Sequence, residues 1–227
     1  MRKIALMALT ALPLFAGFFP STVHTSVSSV GKSTVSLTSA LPVTGMSAAV
    51  IHDYGNSLEA ITSYLTQTSS DGSAKVVSKD IIHHDELPTI KTTVTAGDKV
   101  IGGYLYNNVL LLAPDADTYA RITSSHNKQW IHPDHMALFL SKEGDTHPTK
   151  ANLAKFAKEY QVGLIYIVKN GSAVLLDPIS GQVVGQKAMS NLPVQGQYPF
   201  FMRFDEIQTG WFSKSEKGNY YQVMESI

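Results

Sequence analysis

"AGDKVIGGYLYNNVLLLAPD", residues 96–115, changes its period halfway along, and that change decides the architecture. Gly97-Asp98 is a turn pair, and the residues after it read as a short strand that ends at Gly102-Gly103. Beyond Tyr104 the alternation of apolar and polar residues stops. Val109 to Ala113 are continuously apolar, as in a strand covered on both faces. Two modules therefore meet here, a β-rich one over 21–103 and an α/β one over 104–212.

Upstream, short runs rich in Val, Ile, Thr and Tyr are separated by turn residues. "HTSVSSVG" and "KSTVSLTS" flank Gly31, "MSAAVIHDY" and "LEAITSYLTQT" flank Gly55-Asn56, and "AKVVSKDII" follows Asp71-Gly72. This spacing predicts a small antiparallel barrel or sandwich, closed by "AGDKVIGGYL". Downstream, Asp115 is placed to cap a helix over "DADTYARITSSH". "THPTKANLAKFAKEYQVG" predicts the clearest helix, starting near Thr149, apolar at Leu153, Phe156, Ala157 and Tyr160, and stopped by Gly163. "LIYIVKNGSAVLLDPISGQVVGQKAM" predicts three strands, with Asn170-Gly171 as a hairpin turn, and "YPFFMRF" a further strand. The expected fold class is α+β in two modules, the second with a short sheet and about three helices. Residues 213–227 form a polar tail, read as loosely attached.

A chain of 227 residues with 44% hydrophobic side chains can bury a substantial core. Lys plus Arg and Asp plus Glu are 18 each, which gives no basic surplus for nucleic acid. The start, "MRKIALMALTALPLFAGFFP", has a basic pair before a charge-free apolar run from Ile4 to Phe19. Such a run spans ~24 Å as a helix, short of the ~30 Å hydrocarbon core, so residues 1–20 read as a secretory signal. No clean A-x-A site follows, and cleavage is placed between Ala16 and Ser26. Loss of Arg2 and Lys3 leaves 16 basic against 18 acidic side chains, a charge of about −2. There is no cysteine, which excludes disulfides, thiol catalysis, thiolate metal sites and a lipid-bearing cysteine. These features predict an exported protein of the periplasm or the outer membrane and cell surface, touching membrane only through an uncleaved signal.

Chemistry is sparse. "QWIHPDHMALFL" sets His132, Asp134 and His135 within four residues. If Pro133 is the first helical residue, His132 is a cap and Asp134 complements the helix dipole. A zinc site needs a third ligand, and His83, His84, Asp85, His126 and His147 stand at no spacing that demands one. The metal site is rejected, and no cofactor is expected. "IHHDE", His83 to Glu86, reads as a solvated loop. Asp177-Pro178 reads as a turn whose carboxylate a partner can recruit, and Tyr104, Tyr106, Trp130, Trp211 and Phe212 are candidates for lining a groove. G-x-S-x-G, Gly-rich phosphate loops, H-E-x-x-H and S-x-x-K are all absent.

The pieces "YLYNNVLLLAPDADTY", "WIHPD", "FLS", "PTKANLAKF" and "PFFMRFDEI" resemble, in order and spacing, the N-terminal domain of the plasminogen-binding protein A family of Helicobacter and its relatives. The resemblance covers roughly residues 30–212 and is firm from Gly97 onward. It implies export in Campylobacter-like bacteria and a structural role for His132 and Asp134, since "IHPD" recurs while the position of His135 is commonly aliphatic. It also implies capture of host plasminogen, whose kringle pockets take a lysine side chain. In the family that role belongs to a lysine-rich region beyond this domain. The sequence here closes on "YYQVMESI", so Lys214 and Lys217 are the expected contacts. Three readings stay open: a non-enzymatic protein-binding module, a part of an envelope assembly such as a flagellar accessory, and a metal-assisted enzyme built on His132, Asp134 and His135.

Overall fold

The structure is a computed structural model that describes residues 17–77, 92–209 and 217–227. Six strands form a closed antiparallel barrel: β1 (Val23–Val30), β2 (Val35–Leu37), β3 (Ser47–Asp53), β4 (Glu59–Gln67), β5 (Ser73–Val77) and β6 (Lys99–Gly102). The strand after Gly97 closes it, pairing with β1 from Val23↔Gly102 to Ser26↔Lys99 and with β3 from Ala48↔Gly102 to Ile51↔Lys99. Closure leaves no exposed edge. Every strand contributes a buried side chain, with Val27, Val35, Val50, Leu65, Ala74 and Val100 each 2% exposed or less.

The second module is a five-stranded mixed sheet in the order β11-β10-β9-β7-β8. Its strands are β7 (Asn108–Leu112), β8 (Gln129–Ile131), β9 (Leu164–Lys169), β10 (Ser172–Asp177) and β11 (Gln182–Ala188). β7 runs parallel to β8 and β9, while β9, β10 and β11 form an antiparallel meander. The continuous apolar run of β7 is explained by its interior place between β9 and β8: Val109 to Leu112 are all fully buried.

The helices are α1 (Ala116–Ser125), α2 (Pro133–Glu143), α3 (Lys150–Tyr160) and α4 (Tyr220–Ser226). Asp115 caps α1, accepting from the Thr118 amide at 2.6 Å. Thr149 and Asn152 form a reciprocal capping box at α3. α3 ends differently from expectation, because Gln161, at φ 53°, is the left-handed residue. Gly163 serves another need: a Cβ there would lie 2.0 Å from the Leu105 carbonyl oxygen.

Three other expectations change. "YPFFMRF" forms no strand, because Pro199 has no amide hydrogen, the Phe201 amide donates to the Ala113 carbonyl at 2.8 Å and the Met202 amide to the Gln197 side chain at 3.2 Å. The segment read as a loose tail carries α4, and its Tyr220 is 1% exposed. The Tyr220 hydroxyl lies within bonding distance of the Leu112 carbonyl (2.9 Å) and the Val168 carbonyl (2.7 Å), at the ends of β7 and β9. Phe18, Phe19 and Pro20, counted with the signal segment above, belong to the folded body: Pro20 is buried, and the two rings pack on the core.

Candidate functional site

Of the polar groups singled out from the sequence, His132 and Asp134 meet at the start of α2. β8 delivers the chain to His132, and Pro133 fixes the first helical φ. His132 is the cap residue, its Nδ1 accepting from the Asp134 amide at 3.2 Å. Asp134 is 6% exposed and points to a segment far along the chain: the Arg203 amide donates to Oδ1 at 2.9 Å and Arg203 Nε to Oδ2 at 2.6 Å. Burial works against the Asp134 charge, but the two bonds from Arg203, with the His132 and Arg203 charges, outweigh it and hold the carboxyl below its usual range. Burial also lowers the affinity of His132 for a proton, and the Asp134 charge only partly restores it.

His135 does not join this group. Its ring lies 5.8 Å from that of Tyr160, whereas the His132 ring lies 5.4 Å from that of Tyr119. Among the described residues, no three His, Asp or Glu side chains gather as a ligand set. His83, His84, Asp85, Glu86, Trp211, Phe212 and Lys214 lie outside the described residues.

Asp134 anchors the segment from Arg203 to Gln208, which runs beside α2. Gln197 Nε2 donates to the Met202 and Phe204 carbonyls at 2.9 and 3.2 Å, and the Ser141 hydroxyl donates to the Gln208 carbonyl. Two clefts share Asp205, Glu206 and Ile207 of this segment in their lining. One, of about 360 Å³, is lined by Tyr198, Pro199, Asp205, Glu206 and the exposed Lys217. The other, of about 520 Å³, lies against α2 and takes in Leu138, Arg203 and Phe204. Leu138 is 55% and Phe204 41% exposed, so this second cleft carries apolar surface on both walls. Sequence reasoning named Lys217 but missed Leu138, Phe204, Asp205 and Glu206. Leu138 is the one apolar break in the inward pattern of α2, and Phe204, Asp205 and Glu206 lie within "PFFMRFDEI", a segment singled out above for its likeness and not as a site.

Asp177 is not available to a partner, contrary to its reading as an open turn carboxylate. It is fully buried between the modules and accepts from the Ser47 amide at 2.9 Å, the Tyr106 hydroxyl at 2.7 Å, and the Ile179 and Ser180 amides at 2.8 and 3.1 Å. Burial pushes its carboxyl up, against the pull of bonds from Ser47, Tyr106 and Ser180. Tyr106, 2% exposed, is likewise a core residue, and burial followed by the Asp177 charge raises its hydroxyl. Trp130 is half-buried and donates from Nε1 to the His126 carbonyl at 3.2 Å, whereas Tyr104 is 43% exposed. This node joins barrel, linker and sheet and leaves no lone pair for outside chemistry.

Comparison with known proteins follows the same two-module span. Residues 22–227 match the family described as "Plasminogen-binding protein pgbA N-terminal". Plasminogen-binding protein PgbA from two strains of Helicobacter pylori is 28% identical over 160 residues, 68% of this chain and 35% of the relatives' length. The chain thus spans about a third of the curated relatives it matches. No solved structure matches. With the matched span running from the strand that begins the barrel to the helix that caps the sheet, the chain belongs to the family of the plasminogen-binding protein PgbA N-terminal domain.

Proposed function

We propose that this chain is an exported, non-enzymatic binding module of the bacterial envelope that acts by protein–protein contact, with host plasminogen as the partner captured through exposed lysines such as Lys217. The family match over 22–227 carries the reading, because the relatives are named for plasminogen binding. The disposition of polar groups supports binding over catalysis: Asp134 and Asp177 are buried and engaged by protein donors that hold distant segments together. Lys217 stands at the rim of a cleft, where a compact pocket on a partner can enclose its ammonium.

The test is binding of the purified chain to immobilised plasminogen with and without a free lysine analogue. Binding abolished by the analogue and weakened by Lys217→Ala supports capture through lysine. Saturable binding that ignores the analogue would rule that route out.

A second reading has its own observation. The exposed pair Leu138 and Phe204 adds apolar surface to a cleft that Asp205 and Glu206 also line, and this mixed apolar and polar face favours a component of an envelope assembly. Crosslinking in the cell of origin, followed by recovery of envelope proteins that Leu138→Asp releases, supports this reading.

A further inference from the structure

Phe18 and Phe19 lie next to the apolar leader in sequence yet are held by the folded body. The Phe18 ring meets that of Tyr166 on β9 at 5.1 Å, and the Phe19 ring meets His126 at 5.0 Å and Tyr166 at 6.2 Å. Lys187 Nζ stands 4.3 Å from the centre of the Phe18 ring, and Lys128 Nζ 4.8 Å from that of Phe19. The backbone is also committed, since a Cβ on Gly185 of β11 would lie 2.3 Å from the Phe18 carbonyl oxygen, so only glycine admits the segment there. Four residues later the same chain enters the barrel: the Thr22 hydroxyl donates to the Gly103 carbonyl at 3.2 Å, and Val23 pairs with Gly102. Residues 18–23 therefore cross from the α/β sheet to the barrel and bind both.

From this geometry we infer that the leader is cut between Ala16 and Gly17, so that the mature chain opens on Gly17 and keeps Phe18-Phe19 as a stitch across the two modules. The inference rests on the export reading above. A cut between Phe19 and Ser26 would strip the rings from Tyr166 and His126, remove the aromatic faces beside Lys128 and Lys187, and then break into β1, which the barrel needs to close. Ala16 and Gly17 are adjacent small residues just before Phe18-Phe19, and a signal peptidase requires a small residue before the scissile bond. Gly17 is exposed, which leaves a new terminus in solvent. In the step itself water adds to the Ala16 carbonyl, the bond to the Gly17 nitrogen breaks, and the products are an Ala16 carboxylate on the leader and an ammonium on Gly17.

The experiment expresses the full chain with its leader in a bacterial host, separates exported from cytoplasmic protein, and determines terminal sequence and intact mass in each fraction. An exported protein beginning at Gly17 is the expected result. An exported protein beginning at Pro20 or later, or one that keeps Met1, overturns the assignment while leaving export intact. Absence of any exported protein overturns the export reading itself, and the cut with it. The stitch is checked separately on the purified chain: Phe18→Ala with Phe19→Ala should lower the melting temperature by ~5–10 °C, and Phe19→Leu by less than half of that. Unchanged melting in the double variant overturns the stitch whatever the fractionation shows.

Discussion

Asp134 and Arg203, 69 residues apart, are joined twice, through the Arg203 amide and through its guanidinium. The two partners are unequal, since the Asp134 side chain is 8% exposed and that of Arg203 71%. Removing the carboxylate frees two donors and the first-turn charge of α2. Removing the guanidinium takes away one largely solvated bond and leaves the amide bond in place. Asp134→Ala should therefore cost ~2 kcal/mol of stability and Arg203→Ala ~0.5 kcal/mol, read from urea midpoints. Equal losses would show that the guanidinium does most of the holding.

At Asp177 the expected loss is larger, because four donors converge on one buried carboxylate. Asp177→Asn keeps the volume but turns an amide NH2 toward groups that already donate. We expect ~3 kcal/mol for Asp177→Asn and ~1.5 kcal/mol for Tyr106→Phe, with the double variant costing clearly less than their sum. Strict additivity in that cycle would mean that the two side chains do not share the bond.

The pH dependence has a definite sign for the histidines. Burial lowers the pKa of His132 and His126 in the fold below the usual 6.5, so the unfolded chain binds protons first. Stability from these groups is present above 6.5 and is lost as the pH falls from there through their folded values. Asp134, also lowered, adds a second loss that begins only near the ordinary carboxylate value of 3.8. The histidine contribution to the melting temperature should fall between pH 8 and pH 5, opposed by the raised carboxyl of Asp177, and His132→Asn, which keeps a capping acceptor, should make the measured slope less steep in the direction of loss than in the parent chain. An unchanged slope in His132→Asn and in a His126 variant would refute the assignment.

Gly163 tests the close approach of β9 to the linker between the modules. Its absent side chain makes room for the Leu105 carbonyl, and the Gly163 amide donates to the Asn108 carbonyl at 2.9 Å. A methyl group there requires backbone movement at Leu105 or at the start of β9. Gly163→Ala should cost ~3 kcal/mol or more and reduce the yield of folded protein, measured by soluble expression and denaturant unfolding. A near-neutral result would mean that β9 and the linker separate easily.

Much of the architecture was legible because it is written at short range. Turn pairs at Gly31, Gly55-Asn56, Asp71-Gly72 and Gly97-Asp98 mark the barrel hairpins and its closing strand, and Asn170-Gly171 marks the sheet hairpin. Asp115, His132-Pro133 and Thr149 announce helix starts through groups two or three residues away. "YPFFMRF" misled because its β-forming side chains say nothing of where its amides go, and those amides are spent on Ala113 and Gln197.

The succession of hairpins along the chain, the helix caps, the cysteine-free core and the family likeness were thus determined by the sequence itself, since each depends on neighbours in the chain or on a linear pattern. Only the tertiary structure decided that Asp134 grips Arg203, that Asp177 is a buried joint and not an open turn, that Tyr220 caps two strands, and that Phe18-Phe19 belong to the body. Each of those joins segments separated by tens of residues or more. Burial and donor geometry, which set the fate of a carboxylate or a ring, exist only once those segments have met.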